Sequence, residues 1–477
     1  MESIEKQSLF ESLPPVRDMA AVTEQYAALF ADREDYCVVV LDDDPTGIQT
    51  VHGIPVYMNW QEADVDAAVR DEPVFYVQTN TRGEVESACR EINRVLAARL
   101  AQAARRHGKT LSIVSRSDST LRWHYPLETQ TLRETLTAAG QPDFDGEIIA
   151  PCFFEGGRYT VGDVHYVEQG GALVPAGLTE FAKDLTFPFV HSDLKEYVRE
   201  KAGPDACCVS IPLETLRAQD MDVVYDLLMG CRDFCKVIVN AACYEDLEVF
   251  VTALYRAQAA GRRFLFRTAA SFVRVYAGIG YKPPITAREF HELMGENASG
   301  IVVCGSHVKK STDQLRRLLQ LPNTVAVELD TKALAGDGYM REIEAKCALA
   351  QQAFRAGKIP VVYTSRVLFK LEDGSKMDNL KLSARISQRF TEFVDHLDIT
   401  PGFFVAKGGI TSSDMATRAC RIRKAQVMGQ ALAGIPVIQA GEGARWPGML
   451  YIIFPGNVGD ENALYDVVKK LTSRKES

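Results

Sequence analysis

Short apolar runs alternate with longer amphipathic segments along almost the whole chain. Each run has the length of one strand, whereas the segments between the runs repeat their apolar positions with the period of a helix. Because the runs are apolar at nearly every position, they indicate parallel sheets that are covered on both faces. The pattern therefore predicts an α/β fold made of two three-layer α/β/α domains, with mainly parallel sheets and a cleft between the domains.

The same pattern locates the individual elements. Strands are predicted at residues 37–41, 73–79, 111–115, 147–153, 206–211, 236–242, 263–268, 301–306, 325–329, 360–365, 403–409 and 449–456. Helices are predicted at residues 86–107, 127–140, 246–260, 335–356 and 383–396.

Two stretches interrupt the alternation. The first, residues 278–300, contains a Pro-Pro pair and several glycines, and this composition indicates a linker with one short helix. We therefore expect an N-terminal domain at 1–280, a linker at 281–300 and a C-terminal domain at 301–477. The second stretch, residues 155–195, is rich in glycine, histidine and aromatic residues, and a loop of that length is usually functional or disordered.

Composition and charge narrow the class of protein. The chain has 477 residues, with 54 Lys and Arg against 63 Asp and Glu, so its formal net charge is −9. An acidic chain argues against a nucleic-acid partner, and no apolar run approaches the roughly 20 residues that span a bilayer. The N-terminus lacks the apolar core of a signal peptide, and the 11 cysteines lack the spacing of a zinc site. We therefore expect a cytoplasmic protein in a reducing compartment, with no metal site of its own.

Chemistry is sought where strands end, because ligands of open parallel sheets bind beyond the carboxyl ends of the strands. The first strand is followed by Asp42, Asp43 and Asp44 in the run DDDPTG. Adjacent carboxylates repel one another, and a cation or a polyhydroxyl ligand would compensate them. The alternative is a solvated, Asp-rich turn.

The third predicted strand is followed by the run RSDSTLR, which holds two guanidinium groups, one carboxylate and three hydroxyls. Arginine presents a planar fork that suits a carboxylate or phosphate, whereas the hydroxyls and Asp118 suit a polyol. The alternative is a helix cap beside a surface arginine. The candidate substrate-binding residues in this run are Arg116, Ser119, Thr120 and Arg122.

A further candidate follows the fourth predicted strand. Gly157 lets the backbone approach a ligand, and Arg158 next to it is suited to an anion. A structural turn is equally compatible with these residues. His165 and His191 lie downstream, and a single histidine is more often a packing residue than a site residue.

The C-terminal domain has three junctions in which a strand is followed by glycine and then a helix. Glycine backbone and helix N-termini bind anions without special side chains, so three junctions favour a nucleotide phosphate site. At the first junction, Ser311 is predicted to open a helix with Gln314 at capping-box spacing. Neither a P-loop nor a dinucleotide fingerprint is present. The candidate cofactor-binding residues are Ser306, Lys407, Gly408, Gly409, Thr411, Gly456, Asn457 and Gly459.

At these residues the sequence resembles the four-carbon acid sugar kinase family, whose members phosphorylate aldonates such as threonate, erythronate and 3-oxo-tetronate. The resemblance lies in D-D-x-T-G at 43–47, D-S-T-L-R at 118–122 and a segment at 151–160. In the C-terminal half it lies in Gly305-Ser306, Thr364–Arg366, the turn at 408–411 and F-P-G-N-V-G-D at 454–460.

The resemblance implies an enzyme that transfers phosphate from ATP to an alcohol group of a sugar acid (EC 2.7.1.-), at its terminal hydroxyl. It implies a sugar-acid-binding N-terminal domain, a nucleotide-binding C-terminal domain, and ATP with Mg²⁺ as cofactors. On this basis Asp43, Asp44 and Asp118 are the candidate catalytic residues, one of which orients or deprotonates the hydroxyl, and Arg122 is expected to hold the substrate carboxylate. A homodimer is the candidate assembly, with no membrane or nucleic-acid partner.

Two departures from the family pattern leave the substrate open. The family often reads A-D-D-L-T-G-A where this chain reads D-D-D-P-T-G-I, and Trp123 and His124 stand where a glycine is common. These two side chains are expected to enlarge or reshape the pocket. The competing functions are an NAD-linked dehydrogenase of a hydroxy acid and a two-lobed binding protein without catalysis.

Overall fold

The computed structural model describes residues 2–367, 369, 376–456 and 458–473, and the chain divides into two compact units. The first unit comprises Met1–Val51 and Trp60–Tyr281. The second comprises His52–Asn59 and Lys282–Ser477.

The strands, in chain order, are β1 (Ile4–Glu5), β2 (Tyr36–Asp42), β3 (Pro55–Tyr57), β4 (Val74–Gln78), β5 (Thr110–Arg116), β6 (Gly146–Ala150), β7 (Arg158–Val161), β8 (Val164–Gln169), β9 (Ala172–Pro175), β10 (Cys208–Ile211), β11 (Cys235–Val239), β12 (Phe264–Thr268), β13 (Gly300–Cys304), β14 (Thr324–Leu329), β15 (Ile359–Thr364), β16 (Phe403–Lys407), β17 (Lys424–Leu432), β18 (Ile435–Ala440) and β19 (Leu450–Phe454).

The α-helices are α1 (Lys6–Ser12), α2 (Ala20–Ala31), α3 (Glu62–Asp71), α4 (Glu86–His107), α5 (Leu127–Ala138), α6 (Leu194–Ala202), α7 (Leu213–Arg217), α8 (Met221–Gly230), α9 (Tyr244–Ala259), α10 (Ala270–Tyr276), α11 (Ala287–Met294), α12 (Lys309–Leu318), α13 (Thr331–Ala335), α14 (Tyr339–Arg355), α15 (Lys376–Asp395), α16 (Gly409–Asp414) and α17 (Ala463–Thr472). Short 3₁₀ turns occur at Thr81–Gly83, Phe154–Gly156, Ala176–Leu178 and Glu180–Lys183, and α16 continues into a π-helical turn at Met415–Ala419.

The main sheet of the first unit is parallel, in the order β10-β11-β6-β12-β5-β2-β4. Its central strands are buried over nearly their whole length, because the helices between them place apolar faces on both sides. The chain leaves β2 in one direction to form β4 and then crosses to the other side to form β5. The carboxyl ends of β2 and β5 therefore meet where the strand order reverses, and open α/β sheets bind their ligands at such a point.

A second, antiparallel sheet in the first unit has the order β1-β9-β8-β7. It occupies much of the stretch that the sequence left as an irregular loop. An isolated bridge between Thr160 and Ala241 joins β7 to the chain just after β11. This hairpin therefore lies at the carboxyl end of the main sheet.

The second unit has a mixed sheet in the order β3-β17-β18-β19-β16-β13-β15-β14. The five strands from β19 to β14 are parallel, whereas β3, β17 and β18 pair in antiparallel fashion. Residues 52–59 thus follow β2 of the first unit in sequence but belong to the second unit, where β3 pairs with β17.

The predicted α/β class and mainly parallel sheets are confirmed, and all twelve predicted strands are observed. The segment predicted as a linker is largely packed. Ile285 and Phe290 are fully buried in the core of the second unit, and the Ile285 N–H donates to the Gln430 carbonyl at 2.7 Å. Thr286 caps α11 with a capping box that includes Glu289. This capped helix buries Phe290 and Met294 and is part of the second unit.

Cysteine chemistry differs from the expectation of a fully reduced chain. Cys207 and Cys235 form a disulfide between the chain just before β10 and the first residue of β11. The spacing of these residues could not reveal the pairing, because it depends on two strands becoming neighbours. Among the described helices none is long and apolar enough to cross a membrane.

Candidate functional site

The candidate site of the first unit lies where β2 and β5 end. Asp42 is in register with Arg116 across the two strands, and Arg116 is in register with Thr268 on β12. The Arg116 Nη1 donates to Asp42 Oδ1 at 3.2 Å, and both side chains are buried. Burial raises the pKa of Asp42 to about 7, against the opposing effect of Arg116. Arg116, a predicted substrate ligand, is therefore engaged below the surface of the site.

The turn after β2 depends on one glycine. A Cβ atom at Gly47 would collide with the Asp42 carboxylate. The Gly47 N–H donates to the Asp44 carbonyl at 3.1 Å, which closes the turn over β2. The glycine of the D-D-x-T-G pattern thus has a steric role.

Arg82 joins the two acidic runs, although the sequence analysis did not single it out. It pairs with Asp44 through Nη2, and its Nη1 lies 3.5 Å from Asp118 Oδ1. Burial opposes ionisation of Asp44, but Arg82 and bonds from Thr46 outweigh it and lower the pKa of Asp44. In the sequence, the one feature that points to Arg82 as a site residue is its position four residues beyond the end of β4.

The predicted substrate loop folds around Asp118. Thr120 donates a hydrogen bond to Asp118 Oδ2, and the Arg122 Nε donates to the same oxygen at 2.8 Å. Against the effect of burial, Arg82 and Arg122 lower the pKa of Asp118 to about 2. Asp118 is therefore an ionised group held by two arginines.

His165 holds this loop from the hairpin. It is fully buried, and its ring nitrogens contact the Ser119 carbonyl at 2.7 Å and the Thr160 hydroxyl at 3.0 Å. Burial lowers the pKa of His165 to about 4, so the ring is neutral near pH 7 and donates its single N–H. We assign that N–H to Nε2, because a carbonyl can only accept. His165 thus holds the backbone of Ser119 in place through its carbonyl.

Arg158 begins β7 beside Gly157. Its backbone exchanges hydrogen bonds with Phe153 at 2.9 and 3.1 Å, whereas its guanidinium donates only to the Gly156 carbonyl among the described residues. Gly157 has φ of +73°, and a Cβ there would press on Glu168. The tight turn therefore fixes the base of Arg158.

Asp43 has a different environment from its neighbours. It is 3% exposed, and neither carboxylate oxygen accepts a hydrogen bond from any described residue. Burial raises the pKa of Asp43 to about 7; Arg82 opposes that effect, and Glu128 adds to it. A buried carboxylate without a partner is unusual in a native protein.

Beneath Asp43 lies a buried pair that the sequence analysis also missed. The Arg267 Nη1 donates to Glu128 Oε2 at 2.5 Å and to the Ser115 hydroxyl at 2.6 Å, and Arg267 is fully buried. The guanidinium also lies 4.4 Å from the centre of the Trp123 ring. These contacts join α5, β5 and β12, and only the sheet order brings them together.

Trp123 and His124 both bond to other residues of the first unit. The Trp123 indole donates to the Tyr197 hydroxyl at 2.6 Å, and His124 contacts the Glu84 carbonyl at 3.0 Å. Both side chains are buried. They pack the layer behind the substrate loop.

In the second unit the predicted nucleotide residues converge where β13, β16 and β19 end. The Ser311 hydroxyl donates to the Gly456 carbonyl at 3.1 Å and accepts from the Ser306 hydroxyl at 3.0 Å. A Cβ at Gly408 would lie 3.2 Å from Ser306 Cβ, whereas Gly409 faces open space. The loops pack closely at the base and leave free backbone at the turn, which suits a phosphate.

Thr411 and Gly459 complete this group. The Thr411 hydroxyl lies against Gly305, where a Cβ would collide with it, and Gly459 has φ of +80°. Asn457, the remaining predicted residue, lies outside the described residues.

The predicted capping box at Ser311 and Gln314 is wrong. The helix α12 begins at Lys309 after Val308, without a side-chain cap. Gln314 instead donates to the carbonyls of Val458 and Asp460, at 3.1 and 2.6 Å. Both polar side chains hold the neighbouring glycine loop.

Lys407 is buried rather than free to meet a phosphate. Its Nζ donates to the Pro455 carbonyl at 2.7 Å and to the Gly456 carbonyl at 3.2 Å, and the side chain is fully buried. Burial lowers the pKa of Lys407 to about 7. The lysine therefore anchors the glycine turn, because strand pairing of β16 with β19 places those carbonyls above it.

A further basic side chain in this region is Arg366, in the T-S-R run after β15. It donates to the Ser306 carbonyl and, at 3.2 Å, to the Thr312 hydroxyl. Arg366 is partly exposed. The T-S-R run contributes to the family resemblance, but the sequence pattern alone assigns no role to its arginine.

Comparison with known proteins agrees with this division. One family profile, described as a sugar-binding N-terminal domain, matches residues 38–276, and another, described as a nucleotide-binding C-terminal domain, matches residues 301–464. No curated protein matches the chain in a sequence search.

Solved structures share the fold at low identity. A Haemophilus influenzae protein of family DUF1537 is 16% identical to this chain, with a TM-score of 0.59. The alignment covers 90% of this chain and 98% of that protein. A Salmonella typhimurium LT2 protein, described provisionally as a tRNA synthase, is 15% identical with a TM-score of 0.64 and the same coverage. A Bordetella bronchiseptica DUF1537 protein, a domain-swapped dimer with bound citrate, is 18% identical with a TM-score of 0.37, over 92% of this chain and all of that one.

Fold, site and profiles together define a two-domain α/β protein with a sugar-binding and a nucleotide-binding unit. The chain belongs to the four-carbon acid sugar kinase family.

Proposed function

We propose that this protein transfers the γ-phosphate of ATP to the terminal hydroxyl of a four-carbon sugar acid. The observation that carries the proposal is the charged edge of the first unit, which is the group of arginine and aspartate side chains where β2 and β5 end. There, buried guanidinium groups and carboxylates pair with one another and leave Asp43 without a partner. A polyhydroxyl ligand would supply the missing hydrogen bonds.

Asp43 is the carboxylate best suited to act as general base. Asp44 and Asp118 are held by arginines that lower their pKa values, and a weakly basic carboxylate is a poor proton acceptor at neutral pH. Asp43 has a pKa raised to about 7 and oxygens free to accept. In the reaction the hydroxyl proton passes to Asp43, the hydroxyl oxygen bonds to the γ-phosphorus, and ADP leaves.

Arg82 is suited to position the reacting hydroxyl group indirectly. It ties Asp44 to Asp118 and thereby fixes two acidic runs from different strands. The ionised carboxylates of Asp44 and Asp118 offer hydrogen-bond acceptors for the remaining hydroxyls of a sugar acid. Positioning of this kind accounts for much of the catalysis in phosphoryl transfer.

The second unit is suited to ATP phosphates through its glycine turns. Gly409 leaves open space at the start of a helical segment, and Arg366 stands beside Ser306 with its charge partly exposed. Among the described residues no cluster of three or more His, Cys, Asp or Glu side chains is placed to hold a metal. Mg²⁺ would accordingly arrive with ATP, neutralise phosphate charge and keep most of its water ligands.

The test is an ADP-release assay with ATP, Mg²⁺ and a panel of threonate, erythronate and 3-oxo-tetronate stereoisomers. We expect ADP release to depend on one of these acids, and phosphorus NMR of the product to show a phosphomonoester at C4. Absence of ADP release with every acid would contradict the proposal. Hydride transfer to NAD with one of the acids would favour a dehydrogenase instead.

A further inference from the structure

Among the residues that the structure describes, one arginine at the charged edge of the first unit has no carboxylate within ion-pair distance. Arg82, Arg116, Arg122 and Arg267 each lie within 4.0 Å of a carboxylate. Among the described residues, the Arg158 guanidinium donates only to the Gly156 carbonyl, and its buried Nε has no partner at all.

Arg122 is already committed to the protein. Its Nε donates to Asp118 Oδ2 at 2.8 Å and to the Thr120 hydroxyl at 3.0 Å. Its Nη1 lies 3.8 Å from Asp184, and the guanidinium stacks 4.8 Å from the centre of the Phe181 ring. A substrate carboxylate would have to compete with two carboxylates for this group.

Arg158 is held in place while its charge is left unsatisfied. The backbone hydrogen bonds between Arg158 and Phe153 fix the position of the Arg158 Cα. A Cβ atom at Gly156 would collide with the Phe153 ring and with the Arg158 guanidinium. Burial, together with the nearby Arg122, lowers the pKa of Arg158, whereas Asp118 opposes that effect. A partly buried guanidinium without a counter-ion destabilises the unbound protein, and a carboxylate would relieve it.

We propose that Arg158 binds the carboxylate of the sugar acid, whereas Arg122 positions Asp118. This inference rests on the proposed function, since it assigns one end of the substrate in the same site. Arg158 is then the residue that distinguishes an acid from a neutral polyol of the same length. Its planar fork matches a carboxylate in bidentate geometry.

The test compares Arg158→Gln, Arg158→Lys and Arg122→Gln with the wild type. For Arg158→Gln we expect KM for the acid to rise about 100-fold with little change in kcat, because truncating one partner of a buried charge pair weakens binding by roughly that factor. Arg158→Lys should recover part of the loss, and KM for the uncharged amide of the same acid should stay unchanged. Arg122→Gln should lower kcat with the acid and with its amide alike.

A thermal-shift measurement separates this inference from the proposed function. Without ligand, Arg158→Gln should melt at or above the wild-type temperature, because it removes an unpaired buried charge, whereas Arg122→Gln should melt lower. Threonate and erythronate should stabilise the wild type and Arg122→Gln but not Arg158→Gln, even if no phosphate is transferred. Equal stabilisation of Arg158→Gln and the wild type, or an acid-specific loss in Arg122→Gln alone, would overturn the assignment. Stabilisation of the wild type, but not of Arg158→Gln, by acids that cause no ADP release would contradict the kinase reaction and support the role of Arg158.

Discussion

At the scale of single residues, the site separates carboxylates by what surrounds them. Asp43, Asp44 and Asp118 look alike in sequence, yet only Asp43 lacks a partner. Burial raises one pKa, whereas paired arginines lower the other two. Environment thus gives identical side chains different pKa values.

Asp43→Asn should lower kcat by about 100-fold or more, which is the usual contribution of a general base. In the wild type, kcat/KM should rise with pH through about 7, because Asp43 must be ionised to accept a proton and burial raises its pKa to that value. The measurement is a pH profile of kcat/KM for the acid.

The matched control for this profile is Asp42→Asn, since the pKa of Asp42 is also raised to about 7 and its side chain pairs with Arg116. If the pH dependence persists in Asp43→Asn and disappears in Asp42→Asn, Asp43 is not the base.

Lys407 links burial to stability in the second unit. Because its pKa is lowered to about 7, the unfolded state binds a proton that the folded state lacks between about pH 7 and the ordinary lysine range. The free energy of unfolding contributed by this group therefore rises with pH across that window. We expect the wild type to gain stability relative to Lys407→Met between pH 7.5 and pH 9.5, measured by denaturant unfolding at both values. A constant difference between the two proteins would contradict this assignment.

At the scale of elements, the β7–β8 hairpin carries Arg158 and His165 to the edge of the main sheet. Asp163 at its tip accepts from Ser210 at 2.5 Å and from Asn240 at 2.8 Å, and its N–H donates to Asn240 at 2.7 Å. The hairpin is therefore pinned to the ends of β10 and β11.

Asn240→Ala should reduce the free energy of unfolding by about 1–3 kcal/mol, because it leaves buried groups of Asp163 unsatisfied. It should also raise KM for the acid more than KM for ATP, since the hairpin belongs to the first unit. Denaturant unfolding and steady-state kinetics measure the two effects.

Lys195→Ala is the control, because its ion pair with Asp163 is one-third exposed on the lysine side. Such a pair contributes about 0–1 kcal/mol. An equal loss in both variants would show that the buried amide is not the main anchor.

At the scale of the whole molecule, sequence order and structural units do not coincide. Residues 52–59 follow the acidic turn of the first unit, yet β3 pairs with β17 of the second. Val56 is 2% exposed and lies opposite Ala425 in that pairing. A short segment near the N-terminus thus pairs with a strand that lies far along the chain.

Val56→Asp should destabilise the second unit by at least about 2 kcal/mol, because it buries an unpaired charge. Hydrogen exchange should accelerate in β17 and remain unchanged in β2. Val16→Asp, at an exposed position, serves as the control. Faster exchange in β2 with protection kept in β17 would contradict the assignment of residues 52–59.

The pattern of apolar positions was enough to predict the α/β class, the twelve strands of the parallel layers and the candidate residues at strand ends. These features follow from local periodicity and from a general rule about parallel sheets. The strand ends also predict where the candidate substrate loop and the glycine turns lie.

Which of those residues meet, and which of them are buried or paired, depends on the folded arrangement of the strands and helices. Arg82, Arg267 and Glu128 come from separate elements and join the site through the strand order. The burial of Lys407 and the unpaired state of Asp43 likewise depend on neighbours distant in sequence. Charge pairing and desolvation are properties of three-dimensional surroundings, and a linear pattern of residues does not contain them.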